Sequence, residues 1–347
     1  MKAAVLKNFD QNLEIEELEV PELTRGQILV NVKFSGICGA QVNQKRGIKI
    51  DKKFLPCLMG HEGSGIVLEV GPDVTKVVPG DHVVLHWRKS IGLEGGFPKF
   101  YSKTSKKIIG AGLITTFSDK SIISENRLTK IQKRHNLDTS SLLGCGVTTG
   151  IGIVENELRA KRDSAFLIAG VGGVGLSTIL GAKMKSPSHI FALDLSDEKL
   201  VFANKIGSTC EINIKKEKNI SGIINDVTAG LGIDYAIDTT GNPVVIDKLL
   251  DVIKENGSLV LVGQPKKNQT LEITNFLKLY KGIKIFDSQG GLTNPDIDIP
   301  NILNLHEKNK INLNSLINKR IKLEDINEGF NLLENKSFIG SRIIIEN

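Results

Sequence analysis

The sequence predicts a two-domain α/β protein, in which a β-rich domain is followed by a doubly wound parallel sheet. Its 347 residues, at roughly 150 residues per domain, suggest two domains. Up to residue 146, short runs rich in β-branched residues are bounded by glycine, proline and aspartate, which is typical of strands and turns. Beyond that residue, apolar strands alternate with helical patterns, which is typical of a parallel sheet.

The strand signals of the first domain are QILVNVKFSG, GSGIVLEVG and GDHVVLHW, and short strands at such spacing indicate a small barrel or sandwich. In the second domain, the strand SAFLIAG is followed by the helix LSTILGAKMK, and the strand HIFALDL by the helix DEKLVFANKIG. The strands IDYAIDTTG and GSLVLVGQ continue this alternation. The C-terminal stretch contains one more helical pattern, LEDINEGFNLLEN, and a last strand, SRIIIEN.

Composition disfavours several classes of protein. The 45 basic and 39 acidic residues leave a net charge of +6 and are interleaved, which argues against a nucleic-acid partner. Four cysteines are too few for a disulfide scaffold, so we expect a reducing compartment, the cytoplasm. No signal peptide is visible. The uncharged stretch 164–182 is long enough for a membrane span, but its glycines break it into strand, turn and helix, so we expect no membrane segment.

A glycine-rich motif, GVGGVG, marks a candidate dinucleotide site at the start of a predicted helix. Its glycines, which let the backbone approach a pyrophosphate, are Gly170, Gly172, Gly173 and Gly175. Asp194 ends the next predicted strand, where a carboxylate accepts from the ribose hydroxyls and repels a 2′-phosphate, so NAD is favoured over NADP. Lys199 is a second candidate for contact with the ribose. A helix cap at Asp194 and a surface charge at Lys199 are the alternatives.

Three residues form a candidate metal site. Cys38 lies in SGICG, His61 in GHEGSG and Cys145 in LLGCGVTTG, so the set supplies two thiolates and an imidazole. Zinc with three such ligands keeps a fourth position open, as in catalytic sites. The three residues are far apart in the sequence, so spacing alone does not establish the site. Cys57 and Cys210 have no such motif and are interpreted as core thiols.

The motifs also occur in the order seen in a known family. SGICG, GHEGSGIVLEVG, PGDHVV, LGCGVTTG, GVGGVG and DTTGNP together resemble the zinc-containing medium-chain alcohol and polyol dehydrogenases, over nearly the whole chain. The resemblance implies a GroES-like, partly open β-barrel catalytic domain at 1–146 and a Rossmann NAD-binding domain at 147–288. It further implies that the segment 289–347 returns to the catalytic domain.

The resemblance implies roles for individual residues as well. Cys38, His61 and Cys145 would bind the catalytic zinc, and Glu62 would lie close to the metal. The other implied contacts are to NAD: Thr149 and Val174 at the nicotinamide, Val262, Gly263 and Gln289 at its carboxamide, and Arg342 at the pyrophosphate. The implied cofactors are therefore Zn²⁺ and NAD.

The sequence departs from the family pattern in the proton relay. Where the family has a serine or threonine, an aspartate and a histidine, this chain has Ala40, Gln41 and Asn43. Alanine cannot relay a proton, and glutamine lacks the charge of a carboxylate beside a zinc-bound histidine. We expect the proton to leave through ordered water, Glu62, a nearby threonine such as Thr148, or a second hydroxyl of the substrate.

Two further features concern the segment that starts at His86. Many family members have four closely spaced cysteines there, but this chain has none between His86 and Thr129, so we predict one catalytic zinc and no structural zinc. His86, Trp87 and Arg88 fall where the family has a pocket aromatic. An aromatic wall beside cations suits a sugar-like or anionic alcohol. The alternative is a tryptophan at the rim with ordinary surface charges.

These observations predict a zinc-dependent oxidoreductase that transfers a hydride between an alcohol, polyol or sugar-type hydroxyl and NAD. Its partner is then a small hydroxyl or carbonyl compound. The alternatives are a binding or regulatory homologue without catalysis, a zinc-free quinone or enoyl reductase of the same superfamily, and a zinc lyase or epimerase that recycles NAD. By resemblance, we expect a homodimer or homotetramer, joined through a last strand near GIKIFDS.

Overall fold

The computed structural model describes residues 1–48, 50–266, 268–274, 276–335 and 338–347, which form two compact units. The first unit comprises Met1–Gly146, Asn294–Phe338 and Arg342–Asn347, and the second comprises Val147–Thr293 and Ile339–Ser341. The second unit therefore extends five residues beyond the boundary predicted at 288, and it also takes three residues of the C-terminal segment.

The strands in chain order are β1 (Lys2–Leu6), β2 (Glu14–Glu19), β3 (Gln27–Ile37), β4 (Cys57–Leu58), β5 (Glu62–Val70), β6 (His82–His86), β7 (Lys99–Ser102), β8 (Ile108–Gly110), β9 (Lys120–Ser124), β10 (Leu128–Ile131), β11 (Ala165–Ala169), β12 (His189–Asp194), β13 (Cys210–Asn213), β14 (Ile233–Asp238), β15 (Ile253–Leu261), β16 (Lys284–Asp287), β17 (Ile317–Lys322) and β18 (Arg342–Glu346).

The α-helices are α1 (Gly39–Lys45), α2 (Leu137–Ser141), α3 (Gly146–Gly152), α4 (Gly173–Lys183), α5 (Asp197–Ile206), α6 (Ile220–Val227), α7 (Pro243–Val252), α8 (Pro295–Glu307) and α9 (Ile326–Glu334). Within the described ranges, no single helix is long and apolar enough to cross a membrane. One bent pair, Leu137–Gly144 with Gly146–Glu157, has sufficient length and apolar composition only when its two helices are taken together.

The first unit is rich in strands, as the sequence predicts, and most of its strand pairs are antiparallel, whereas β4 with β8 and β17 with β18 are parallel. Strands β1, β2, β7, β8 and β4 close into a barrel, and a second sheet has the order β10-β6-β5-β3-β18-β17, with β9 also paired to β3. The C-terminal strand β18 pairs antiparallel with β3, and Ile343 lies opposite Ile37. The C-terminal stretch therefore places Arg342 beside the end of β3, where the first candidate metal ligand follows.

The second unit contains a parallel sheet with the order β13-β12-β11-β14-β15-β16. Counted within this unit, the strand order is 3-2-1-4-5-6, which is that of the Rossmann fold. Its strands carry fully buried apolar side chains, such as Leu167, Ala236 and Leu259, because a parallel sheet is covered on both faces. The predicted doubly wound sheet is confirmed. The uncharged stretch 164–182 forms β11, a glycine turn and most of α4.

Candidate active site

The three predicted metal ligands meet in the first unit. Cys38 follows β3, His61 precedes β5 and Cys145 precedes α3, so three separate chain segments bring them together. One potential ligand atom from each residue lies within 4.8 Å of those of the other two. Among the described residues, no other group of three or more His, Cys, Asp or Glu side chains has comparable geometry.

The orientation of His61 leaves one ring nitrogen for a metal. The side-chain amide nitrogen of Gln41 contacts Nδ1 of His61. Nε2 of His61 is buried and has no hydrogen-bond partner within the described part of the chain. A buried polar atom without a partner is costly, and coordination of a metal at Nε2 would satisfy it. Two sulfur atoms and one imidazole nitrogen form a donor set typical of zinc, so the residues present fit this ion.

Electrostatics favour a thiolate in the cluster. A hydrogen bond between the two thiols lowers the pKa of Cys38 well below its usual range and raises that of Cys145. The His61 ring and the Arg342 guanidinium also favour the ionised form of Cys38. Because the thiolate is the form that binds metals, the lowered pKa of Cys38 favours its role as a metal ligand. By contrast, burial raises the pKa of Cys57 to about 11, which leaves that thiol protonated.

A buried ion pair adjoins the metal cluster. Nε of Arg342 lies 3.0 Å from Oε1 of Glu62, and the two side chains are 3% and 0% exposed. Burial raises the pKa of Glu62, while the Arg342 charge opposes that shift. Burial lowers the pKa of Arg342, but the Glu62 carboxylate and the two thiols more than reverse this effect. The guanidinium predicted to contact the pyrophosphate is therefore engaged with Glu62, and its contact with NAD stays a prediction.

Three glycines make room for this ion pair. A Cβ atom on Gly146 would lie 1.7 Å from Nη2 of Arg342, and one on Gly36 would lie 2.5 Å from Oε1 of Glu62. A Cβ on Gly144 would lie 2.6 Å from Cα of Glu62. The sequence reasoning missed these positions, although the glycines of SGICG and LLGCG flank the two cysteine ligands and were a usable signal.

The glycine turn of the second unit has the geometry of a phosphate-binding loop. Gly170 has a φ of +85°, and a Cβ on Gly175 would lie 2.0 Å from the carbonyl oxygen of Gly170, so both positions require glycine. Gly172 and Gly173 begin α4, and a Cβ on Gly172 would meet none of the described atoms within 4 Å. This open position at a helix N-terminus fits the pyrophosphate of a dinucleotide.

Asp194 lies at the end of β12 and holds the glycine turn. Its carboxylate accepts hydrogen bonds from the backbone N–H groups of Val171 at 3.0 Å, Leu195 at 2.7 Å and Ser196 at 3.1 Å. The helix-cap alternative is not realised, since the N-cap of α5 is Ser196, whose side chain accepts from the backbone N–H of Lys199. The side chain of Lys199 is half-buried on α5, one turn away. Their contacts with ribose remain predictions.

The residues predicted to contact the nicotinamide lie on several segments of the second unit. Thr149 on α3 is buried, and Val174 on α4 is half-buried. The backbone N–H groups of Val262 and Gly263 both donate to the carbonyl of Asp238, at 2.8 and 2.9 Å. The exposed side chain of Gln289 donates to Asp287 at 3.2 Å. Their contacts with the cofactor stay predictions.

An apolar cavity, which the sequence reasoning missed, lies beside the carboxyl ends of the parallel strands. Its volume is about 130 Å³, and its walls include Leu193, Ile214 and Val244. Ligands of open α/β sheets bind outside the carboxyl ends of the strands. The cavity is therefore a candidate binding site for a planar base of a dinucleotide.

His86 ends β6 and is buried, and its contact with a substrate stays a prediction. His86 is 1% exposed, and its Nδ1 and Nε2 pair with the carbonyl of Arg88 at 2.7 Å and the hydroxyl of Thr129 at 3.0 Å. Burial lowers its pKa to about 4, so the ring is neutral. β6, which carries His86, pairs with β10 and β5 within the sheet. Trp87 is 36% exposed, and the guanidinium of Arg88 lies 5.8 Å from its ring.

The segment after Trp87 is held by a buried carboxylate. Oε1 of Glu125 accepts from the backbone N–H groups of Thr75 at 2.8 Å and Lys76 at 2.9 Å, and Oε2 accepts from Leu93 at 2.6 Å. Burial alone would raise the pKa of Glu125, but these donors lower it below its usual range. The ionised side chain of Glu125 therefore ties Leu93, in the segment after Trp87, to the loop that contains Thr75 and Lys76.

Comparisons with known proteins agree with this geometry. Residues 24–133 match the family described as alcohol dehydrogenase GroES-like domain, and residues 173–308 match zinc-binding dehydrogenase. A probable S-(hydroxymethyl)glutathione dehydrogenase 1 of Schizosaccharomyces pombe is 30% identical over 95% of this chain and 93% of its own. The chain belongs to the zinc-dependent medium-chain alcohol dehydrogenase superfamily. The resemblance identified from the sequence motifs is confirmed.

Solved structures of this superfamily have the same fold along the whole chain. An alcohol dehydrogenase zinc-binding domain protein from Burkholderia ambifaria has a TM-score of 0.90 at 25% identity, covering 99% of this chain and 98% of that one. Benzyl alcohol dehydrogenase from Acinetobacter calcoaceticus has a TM-score of 0.88 at 26% identity, with the same coverage. The GroES-like and Rossmann assignments are thereby confirmed.

Proposed function

We propose that this chain is a zinc-dependent, NAD-linked dehydrogenase that interconverts a small alcohol, polyol or sugar-type hydroxyl and the corresponding carbonyl compound. The observation that carries the proposal is the convergence of Cys38, His61 and Cys145 within 4.8 Å. When bound, zinc would polarise the substrate oxygen as a Lewis acid, and NAD would accept or return the hydride.

The chain's own residues would bind and orient the reactants. The turn at Gly172 would present backbone N–H groups to the pyrophosphate, and Asp194 would accept from the ribose hydroxyls. Thr149 and Val174 would position the nicotinamide. Ala40 has no group that transfers a proton, and the Glu62 carboxylate is paired with a buried guanidinium. We therefore favour proton release through a second substrate hydroxyl or through solvent over release through Glu62.

The proposal is tested by following NADH formation with a panel of alcohols. The panel should pair simple alcohols, sugar alcohols and their phosphorylated forms, each assayed with NAD and with NADP on zinc-loaded protein. We expect turnover with NAD for at least one class, and a lower KM for anionic members because of Arg88. Zinc-loaded protein that turns over no member in either direction would instead favour the binding or regulatory alternative.

We also propose one catalytic zinc per chain and no structural zinc. Support comes from Glu125, whose hydrogen bonds to Thr75, Lys76 and Leu93 already fix the segment that carries structural cysteines in other members. Elemental analysis of zinc-saturated, desalted protein is expected to give one zinc per chain. Two per chain would show that a second site exists.

We propose that two copies associate through the edge strand β16. This strand lies at the end of the parallel sheet, and its Ile285 is 39% exposed, beside a short segment whose Phe276 and Tyr280 are 66% and 75% exposed. Open edges and exposed apolar side chains are typical of interfaces. Sedimentation analysis is expected to show a dimer or tetramer that Ile285→Glu dissociates. A wild-type monomer at micromolar concentration would refute this proposal.

We place the enzyme in the cytoplasm because all four cysteines are free thiols.

A further inference from the structure

The amide of Gln41 has a defined orientation behind the metal cluster. Gln41 lies on α1 and is 2% exposed. Its Oε1 accepts a hydrogen bond from the backbone N–H of Gly60 at 3.0 Å, and its Nε2 contacts Nδ1 of His61. Gly60 directly precedes the histidine, so the amide bridges the backbone and the ring of the same loop.

This orientation determines which nitrogen of His61 carries the proton. The backbone N–H of Gly60 is a donor only, so it requires the oxygen of the Gln41 amide. The amide NH₂ is then directed at Nδ1, where it can only donate. Rotating the amide by half a turn would place two donors, the NH₂ group and the Gly60 N–H, against each other. Nδ1 of His61 therefore accepts, and the single proton of a neutral ring lies on Nε2.

A metal at Nε2 requires the opposite tautomer. Zinc binds the lone pair of Nε2, which moves the proton to Nδ1, where it would face the amide NH₂ of Gln41. We propose that Gln41 is a positioning residue that favours the Nε2–H tautomer of metal-free His61, so that zinc binding requires a change of tautomer and is weaker than it would be with a carboxylate at this position. The inference rests on the zinc site of the proposed function. A carboxylate at position 41 would accept from both Gly60 and Nδ1, and would remove the conflict.

The first test compares zinc affinities. Gln41→Glu is expected to lower the Kd for Zn²⁺ about 10- to 100-fold, the range over which partners of ligating histidines change metal affinity. The Kd is measured by chelator competition on the full-length protein. Gln132→Glu is the matched control, because Gln132 is exposed in the same unit and the substitution adds the same charge. Equal affinities of wild type and Gln41→Glu would overturn the proposal.

The second test separates hydrogen-bond direction from added charge. Long-range ¹H–¹⁵N spectra of the imidazole rings report the tautomer, and His61 is assigned from the signal missing in His61→Ala. Zinc-free wild-type protein is expected to show the proton of His61 on Nε2, and Gln41→Glu to show it on Nδ1. A proton on Nδ1 in zinc-free wild type would refute the proposal, even if the variant binds zinc more tightly.

The spectra also distinguish failure of this inference from failure of the proposed function. Zinc-loaded protein that turns over no alcohol would contradict the function while leaving the tautomer result intact. Turnover by a protein whose His61 already carries its proton on Nδ1 would contradict only the inference.

Discussion

Replacing Cys145 with serine is expected to remove the bound zinc and to lower kcat/KM for alcohol oxidation about a thousandfold. Serine keeps the shape of the side chain, but its hydroxyl is not ionised at neutral pH and ligates zinc poorly. A Lewis acid contributes several kcal/mol to such reactions. At about 1.4 kcal/mol per factor of ten, a loss of about 4 kcal/mol gives the stated effect. Steady-state kinetics and zinc content of the purified variant measure both quantities.

Cys210→Ser is the matched control for this experiment. Cys210 is a half-buried thiol on β13 in the second unit, outside the metal cluster. Burial raises its pKa, which leaves it protonated and a poor ligand. Zinc content and kcat/KM of this variant are expected to equal those of wild type. If Cys145→Ser retained its zinc and kept kcat/KM within tenfold of wild type, the cluster of Cys38, His61 and Cys145 would not be the catalytic site.

The metal ligands and the glycine turn were predictable because each lies in a short local motif. Cys38 directly follows a strand in SGICG, and Gly170 opens the turn between a strand and a helix, so a few neighbouring residues fix the geometry. The fold class followed from strand and helix alternation for the same reason. Local patterns of this kind can be recognised in a single sequence without any knowledge of tertiary contacts.

Other features depend on contacts between distant segments and could not be predicted. The pairing of Arg342 with Glu62 depends on the register of β18 against β3, which no local pattern specifies. The burial of His86 depends on residues packed around the end of β6, which no local pattern specifies. The sequence showed that Gln41 replaces an aspartate, but the direction of its amide depends on the N–H of Gly60.

Glu62→Gln is expected to destabilise the protein by about 3–5 kcal/mol, because it leaves the buried charge of Arg342 without its partner. The amide is nearly isosteric, so packing is retained and the loss is electrostatic. The free energy of unfolding is measured by denaturant titration of the metal-loaded protein. Glu324→Gln is the matched control, since its ion pair with Lys2 has a similar length of 3.1 Å but both side chains are more than half exposed. Exposed pairs contribute about 0–1 kcal/mol.

A double variant shows whether the missing charge, rather than distortion of the metal site, causes the loss. Glu62→Gln with Arg342→Met removes both charges and fills a similar volume. Replacement of a buried pair by groups without charge is often neutral, whereas removal of one partner is costly. The double variant is therefore expected to recover most of the stability lost in Glu62→Gln. The single variant Arg342→Met is measured as well. If the double variant instead lost as much stability as the two single variants together, the pair would not be coupled, and Glu62 would stabilise the protein through contacts other than Arg342.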